Sequence, residues 1–319
     1  MDQRVIVVGA GVIGLSCAVR LAEAGYDTHV LARDLPLETT SSVAGGLWMP
    51  YRAEPLDAVL RWARATHAEL LHLNDQAPEA GVLLREGVLL LRDEATDADK
   101  PAWAEAVADI ASLAPVVRPA PGYAGGWVTR LPVVEMPVYL RWLAKRLERA
   151  GGTITRMPLA SLPQRGVVVN ATGVSARALA PDGTVHAVRG QVVVLDNPGL
   201  TRWVVDEHED AGELLYVVPR GDDVVVGGTA QEGDWGTTPD AAQAERILMR
   251  AMATVPELLK ASVRRHRVGL RPARPAVRLE TEHRDDATIV HCYGHGGSGV
   301  TLSWGCADDV LAAVSDLRL

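Results

Sequence analysis

The sequence of 319 residues has no phenylalanine, few lysines and no long apolar run. Its apolar segments fall short of the ~18 residues that a membrane-spanning helix needs. Cysteine occurs only at positions 17, 292 and 306, and this odd number without regular spacing excludes a disulfide framework. The first residues show no signal-peptide layout. We therefore predict a cytoplasmic protein with reduced thiols and no membrane partner.

The net charge of −8 argues against nucleic acid as the main partner. No G-x-S-x-G elbow follows a predicted strand, which removes support for a Ser-His-Asp hydrolase. Hydrophobic residues make up 48% of the chain, so a sizeable core can form. The length suits one large domain or two ordinary ones.

Strand and helix patterns alternate at both ends of the chain and enclose a β-rich middle. The apolar run at 4–8, the helical spacing at 12–25 and the apolar run at 28–32 predict a βαβ unit. Elsewhere the patterns predict helices near 55–74, 137–152, 239–253 and 300–314, and a strand pair within 81–92. They also predict a buried strand that ends in a small-residue turn at 166–173, and a strand at 288–294. The predicted fold class is α/β, with a Rossmann-like domain interleaved with a β-rich α+β domain.

A glycine motif at the start of the first helix indicates dinucleotide binding. It consists of Gly9, Ala10, Gly11, Val12, Ile13 and Gly14. Glycines in this pattern permit a tight turn, close approach of a pyrophosphate and packing of the helix on the sheet. Asp34 has the spacing of a residue that binds ribose hydroxyls, whereas Arg33 would suit a 2′-phosphate. This stretch alone leaves FAD, NAD and NADP open.

Three further stretches carry chemistry. Thr39, Thr40 and Ser41 stand in a Ser/Thr-rich loop that either holds phosphate or is simply solvated. The glycine-rich stretch 293–307 precedes a helix, and N–H groups of its first turn would stabilise an electron-rich group such as a reduced flavin. Arg271, stiffened by the following proline, is the arginine we favour for gripping a carboxylate.

Histidine and cysteine cluster near the chain end, at positions 291, 292, 295 and 306. Neighbouring strand residues point to opposite faces, so His291 and Cys292 should not share an ion. We expect His295 to serve its own loop. No metal is therefore predicted.

Ten stretches, in order from residue 5 to residue 307, together resemble the D-amino acid oxidase family of flavoproteins. They are VVGAGVIGLS, LARDLP, TTSSVAGGLWMPY, VVVNATG, RGQVVVL, YVVPR, VVVGGT, GDW, VGLRPARPAVRLE and HCYGHGGSGVTLSWGCA. The resemblance implies noncovalent FAD and oxidative deamination of D-amino acids by hydride transfer to the flavin. Its products would be a 2-oxo acid, ammonia and H2O2. The expected partners are a D-amino acid and O2, with homodimer formation open.

The resemblance also implies roles for particular residues. Arg271 and Tyr216 would bind the substrate carboxylate and the carbonyl of Gly297 the substrate amine, with Met49 beside the substrate side chain. Besides the N-terminal motif and Arg33, Asp34, Thr39, Thr40 and Ser41, the implied FAD contacts are Gly46, Leu47, Leu159, Ala171, Gly173, Gly296, Gly297, Gly299, Val300 and Thr301. The implied FAD-binding domain is 1–56, 130–190 and 285–319, and the substrate domain is 57–129 and 191–284.

Two positions depart from the animal members of the family. A lid tyrosine is replaced by Gly212, and a glutamine by Met49. The apolar Met49 favours neutral D-amino acids over acidic ones. D-aspartate oxidase, glycine oxidase and a flavin amine dehydrogenase are alternatives within the resemblance. An NADP-dependent reductase and a nonenzymatic nucleotide-binding module are alternatives outside it.

Overall fold

The computed structural model describes residues 4–51, 53–101, 103–106, 112–210 and 213–317. Their strands are β1 (Arg4–Val8), β2 (Asp27–Ala32), β3 (Val82–Leu91), β4 (Ala114–Val117), β5 (Gly125–Val134), β6 (Thr153–Arg156), β7 (Gly166–Asn170), β8 (His186–Asp196), β9 (Trp203–Asp210), β10 (Glu213–Pro219), β11 (Asp223–Thr229), β12 (Gln231–Glu232), β13 (Val263–Ala273), β14 (Arg278–Arg284) and β15 (Ala287–Tyr293). Their helices are α1 (Val12–Glu23), α2 (Leu56–Gln76), α3 (Trp103–Ala106), α4 (Met136–Arg149), α5 (Ala176–Leu179), α6 (Ala241–Thr254) and α7 (Gly299–Ser315).

One sheet contains six strands in the order β14-β15-β7-β1-β2-β6. Its strands pair in parallel except for the antiparallel pair of β14 and β15. The predicted βαβ unit is present as β1, α1 and β2, and α1 packs against α4 and α7. Because helices cover this sheet, β1 and β7 read as continuous valine-rich runs. The Rossmann-like part of the prediction is confirmed.

The second sheet contains nine strands. Eight follow the order β12-β8-β11-β10-β9-β3-β5-β4, and β13 pairs with β8. The pairing is antiparallel apart from β3 with β9. Helix α6 lies on this sheet, where Ile247 and Ala251 share a buried core with Val193 and Val217. This is the predicted β-rich α+β part.

The stretch 81–92 contains one strand, β3 (Val82–Leu91), where the sequence predicted two β-like runs. Gly87 does not break the strand. A Cβ atom there would lie 2.0 Å from the ring of Trp203, which is fully buried and donates its indole N–H to the carbonyl of Arg85. The glycine therefore makes room for a neighbouring indole ring, a long-range demand that the local pattern could not show.

The predicted domain boundaries stay a prediction. β14 belongs to the first sheet although it lies within the predicted substrate segment 191–284, and β8 begins before residue 190 and runs through the second sheet. The chain thus passes between the two sheets several times. Among the described residues, no helix combines the length and the apolarity required to span a bilayer.

Candidate functional site

A cavity of about 960 Å³ is lined by residues from both sheets. This volume is at the upper end of the range of about 300–1,000 Å³ that is typical of small-molecule sites. The cavity brings together most of the site residues that the sequence predicted. These are Gly9, Ala10, Gly11, Val12, Ile13, Arg33, Asp34, Thr39, Thr40, Ser41, Leu159, Ala171, Gly173, Tyr216, Arg271, Gly296, Gly297, Gly299 and Val300.

The turn between β1 and α1 forms one end of the cavity. Gly9 has a φ of +116°, and a Cβ atom there would lie 2.3 Å from the carbonyl oxygen of Ala171. Gly11 occupies the N-cap of α1 without a side-chain cap, so the first helical N–H groups face the cavity region. The N–H of Val12 donates to the Ser41 hydroxyl at 3.0 Å, and this hydroxyl keeps its own proton for donation to an anion.

Arg33 and Asp34 lie next to this turn and pair with each other. The Arg33 guanidinium donates to one Asp34 carboxylate oxygen at 2.6 and 3.0 Å. This hydrogen bond raises the pKa of Arg33 further above its usual value. The pair uses two of the five N–H groups of Arg33 and leaves the others free, so the choice of dinucleotide rests on other observations.

The start of α7 forms another wall. Leu302 makes the first intrahelical bond, to the carbonyl of Ser298, so the N–H groups of Gly299, Val300 and Thr301 have no acceptor within the helix. The Ser298 hydroxyl is bonded to the backbone of Tyr51. Since that side chain does not cap α7, the first-turn N–H groups of Gly299 and Val300 remain at the cavity wall.

Arg271 and Tyr216 lie at the other end of the cavity, on β13 and β10. The Arg271 guanidinium packs over Gly190 and donates to the carbonyl of Thr229 at 2.7 Å. That bond uses one of its five N–H groups. Burial raises the pKa of the Tyr216 hydroxyl, and the Arg271 guanidinium beside it opposes the rise.

Glycines at 190 and 227 make this pair possible. A Cβ atom at Gly190 would lie 2.5 Å from the Arg271 guanidinium, and one at Gly227 would lie 1.9 Å from the Tyr216 ring. Gly297 is close by, since a Cβ atom there would lie 3.8 Å from Cδ of Arg271. The three groups predicted to bind an amino acid are therefore adjacent.

Five predicted site residues lie outside the lining of this cavity: Gly14, Gly46, Leu47, Met49 and Thr301. Their positions have structural reasons. Gly14 packs against the carbonyl of Gly9, where a Cβ atom would come within 2.0 Å, and Gly46 and Leu47 pair with β5.

Met49 is held by α7. Its backbone N–H and carbonyl are both bonded to the Thr301 hydroxyl, and its side chain packs on the main core. Its predicted place beside the substrate side chain stays a prediction. Gly212, the predicted lid position, lies outside the described residues.

Sequence reasoning missed several lining residues. Trp235 and Thr237, in the loop after β12, line the cavity, and Trp235 keeps 46% of its surface exposed. The sequence feature that could have identified Trp235 is a tryptophan within a glycine-containing loop. Thr172 and Pro272 also line the cavity and adjoin predicted positions. Gly190 lines it as well, but only its contact with Arg271 shows why.

The cavity fits a dinucleotide cofactor with a planar ring system. Uncapped first-turn N–H groups of α1 and the Ser41 hydroxyl suit a pyrophosphate. Asp34 and Leu159 line the adenosine side, and the start of α7 supplies donors for an electron-rich ring edge. These groups are the ones that would hold FAD.

The comparisons with known proteins agree with this geometry. A family model described as DAO, FAD dependent oxidoreductase, matches residues 4–313. The D-amino-acid oxidase of Rubrobacter xylanophilus is 50% identical, with 97% of this chain and 95% of the relative covered. The D-amino-acid oxidase of Streptomyces coelicolor is 43% identical over 98% and 97%.

More distant similarities extend the comparison. Human D-aspartate oxidase is 37% identical, with 98% of this chain and 95% of the relative covered. The crystal structure of glycine oxidase from Bacillus cereus superimposes with a TM-score of 0.81 at 19% identity, over 99% of this chain and 96% of that one. At that identity the structure supports the fold alone. The family match and the relatives show that the chain belongs to the DAO family of FAD dependent oxidoreductases.

Proposed function

We propose that this protein is a D-amino acid oxidase. The reaction converts a D-amino acid, O2 and H2O to a 2-oxo acid, ammonium and H2O2. The observation that carries the proposal is the adjacency of Arg271, Tyr216 and Gly297 at one end of a cavity whose other end is a phosphate-binding turn. Two relatives named as D-amino-acid oxidases, 50% and 43% identical, support it.

The chain's own residues bind and orient the substrate. The free N–H groups of Arg271 and the Tyr216 hydroxyl bind the carboxylate, and the carbonyl of Gly297 accepts a hydrogen bond from the amine. FAD, when bound in this cavity, would supply the acceptor for the α-hydride, with O2 as the final oxidant. Fixing the substrate at two points in this way can contribute several kcal/mol to lowering the barrier.

The surroundings of Tyr216 support a preference for neutral side chains. A buried apolar cluster of Val188, Leu214 and Ala230 packs against Tyr216, Tyr51 and Ala273. Arg189, from the same strand as Val188, is already bonded to Gln231, Gln243 and backbone carbonyls. Arg189 is thus poorly placed to bind a second carboxylate.

Peroxide release from a panel of D- and L-amino acids tests the proposal. We expect turnover of D-enantiomers, with a higher kcat/KM for D-methionine and D-valine than for D-aspartate. Turnover of L-enantiomers only would contradict the assigned activity. Faster turnover of D-aspartate would instead favour the alternative, D-aspartate oxidase. The 37% identical human D-aspartate oxidase is the reason for testing this alternative.

We also propose a cytoplasmic location. Its support is the three cysteines, all of which are free and buried. Localisation of a tagged full-length chain in cell fractions tests this, and recovery from a secreted or membrane fraction would contradict it.

A further inference from the structure

Two cysteines and a histidine meet beside the cavity. Cys292 is near the end of β15, His295 is in the turn that follows, and Cys306 is on α7. Their sulfur and nitrogen atoms all lie within 4.8 Å of one another, and each residue is at most 2% exposed. Among the described residues these side chains form a compact set of two thiols and one imidazole.

The sequence predicted no metal on two grounds: that His291 and Cys292 cannot share an ion, and that His295 serves its own loop. The structure agrees with the first ground and differs from the second. His291 does face away from Cys292, since its ring bonds to Asn170 and Glu282. His295 differs from the expectation, because the turn after β15 brings its ring back to the Cys292 thiol, with Nε2 3.9 Å from Sγ. The helix α7 then supplies Cys306 to the same point.

The spacing suits a tetrahedral ion with thiolate and imidazole ligands. With Zn–S near 2.3 Å and Zn–N near 2.05 Å, neighbouring ligand atoms of a tetrahedral site lie about 3.5–3.8 Å apart. The observed separation of 3.9 Å between Cys292 and His295 is close to that value. Small side-chain movements would therefore suffice, and the soft ligand set favours Zn²⁺ over Ca²⁺ or Mg²⁺.

An ion has a path to this position. Cys292 and His295 both line the cavity, whereas Cys306 lies behind them. The Cys17 thiol on α1 is in hydrogen-bonding contact with Cys292 but is not part of the mutually close set. An ion can thus enter from the cavity and bind three ligands, with water in the fourth position.

We propose that Cys292, His295 and Cys306 form a binding site for Zn²⁺ or a chemically similar thiophilic cation. The bound ion would link β15, the turn that carries Gly296 and Gly297, and α7. Zn²⁺ binding is measured without the oxidase reaction, although Cys292 and His295 line the same cavity as the proposed oxidase site.

The test is equilibrium dialysis of the reduced, chelator-treated full chain against Zn²⁺, with metal analysis and a count of free thiols. We expect about one Zn²⁺ per chain, as for a single tetrahedral site. Replacing Zn²⁺ by Co²⁺ should give a thiolate charge-transfer band.

Cys306→Ala should lose both signals, and His295→Asn provides a second ligand variant if Cys306→Ala does not fold. Cys17→Ala is the matched control, because it removes a buried thiol outside the three-ligand set, and it should retain the ion. Circular dichroism checks that each variant is folded. The proposal is overturned if the wild-type chain binds no Zn²⁺, if Cys17→Ala loses the ion as fully as the ligand variants do, or if the thiols form a disulfide instead.

Discussion

The two ends of the cavity are built in different ways. The phosphate end is built around one contiguous turn, whose backbone N–H groups are joined by the Ser41 hydroxyl. The carboxylate end consists of side chains from two distant strands, Arg271 on β13 and Tyr216 on β10. Substitutions that enlarge a side chain should therefore impair the phosphate end. Substitutions that truncate a side chain should impair the carboxylate end.

The largest effect is expected from adding one methyl group at the phosphate end. In Gly9→Ala the new Cβ would collide with the carbonyl of Ala171 at 2.3 Å, at a positive φ that alanine rarely adopts. We expect about 3 kcal/mol or more of lost unfolding free energy, together with loss of bound flavin. Urea unfolding and the flavin absorbance of the purified protein measure both.

Gly25→Ala is the matched control for this variant. Gly25 also has a positive φ, of +93°, but a Cβ atom there meets nothing within 4 Å. The substitution should cost only about 1 kcal/mol, from the left-handed backbone alone. Equal losses in the two variants would show that the contact with Ala171 is unimportant.

Removing the guanidinium should have the next largest effect. Arg271→Ala should lower kcat/KM by about 2–5 kcal/mol of transition-state stabilisation, or roughly 30- to 5,000-fold, because the substrate carboxylate loses its charge partner. Arg265→Ala, on the same strand but with a half-exposed side chain, is the control and should retain activity. Unchanged kcat/KM in Arg271→Ala would contradict the assigned carboxylate site.

A buried histidine away from both ends predicts acid sensitivity. Burial lowers the pKa of His67 to about 4, and neither ring nitrogen has a hydrogen-bond partner among the described residues. The unfolded chain, with a histidine pKa near 6.5, binds the proton more tightly. The folded state is therefore not penalised by His67 above pH 6.5. As the pH falls from 6.5 toward 4, the unfolded chain takes up the proton and the free energy of unfolding decreases.

This histidine should lower the unfolding free energy by about 2 kcal/mol between pH 7 and pH 5. Urea unfolding at the two pH values measures the change. His67→Phe keeps an aromatic ring against Trp48 and should reduce the pH dependence by that amount. An unchanged pH dependence in the variant would show that His67 does not cause it.

The smallest effect on activity is expected from one hydroxyl at the carboxylate end. Tyr216→Phe keeps the ring over Gly227 and removes a hydrogen bond to the substrate carboxylate. The fall in kcat/KM should correspond to about 1.5–3 kcal/mol of lost transition-state stabilisation. Tyr26→Phe, whose hydroxyl contacts the Ser315 hydroxyl at the surface, should leave kcat/KM unchanged. If both variants retain full activity, Tyr216 does not bind the carboxylate.

The same contrast explains what the sequence could predict. The turn at 9–14 works through local backbone, so its glycine spacing and flanking elements were sufficient to identify it. Arg271 was favoured for carboxylate binding from its position before Pro272, whereas Tyr216 was predicted only through family resemblance. Their support by Gly190 and Gly227 depends on contacts between strands far apart in the chain, which no local pattern records.

Two positions show what a local pattern cannot record. Met49 was placed beside the substrate through the family resemblance, and that role stays a prediction; the structure adds that hydrogen bonds of its backbone to Thr301 fix that stretch to α7. His295 was assigned to its own loop, and the turn after β15 brings its ring to Cys292 and Cys306, which are 3 and 11 residues away in the chain. The packing of α7 contributes to both arrangements.

Anaerobic mixing of the FAD-loaded chain with D-valine, and separately with L-valine, tests the central claim most directly. Without O2, flavin reduction is read from its absorbance alone, independently of peroxide detection. We predict rapid bleaching with D-valine and none with L-valine. Bleaching by L-valine alone, or a purified chain that takes up no flavin, would contradict the assigned activity.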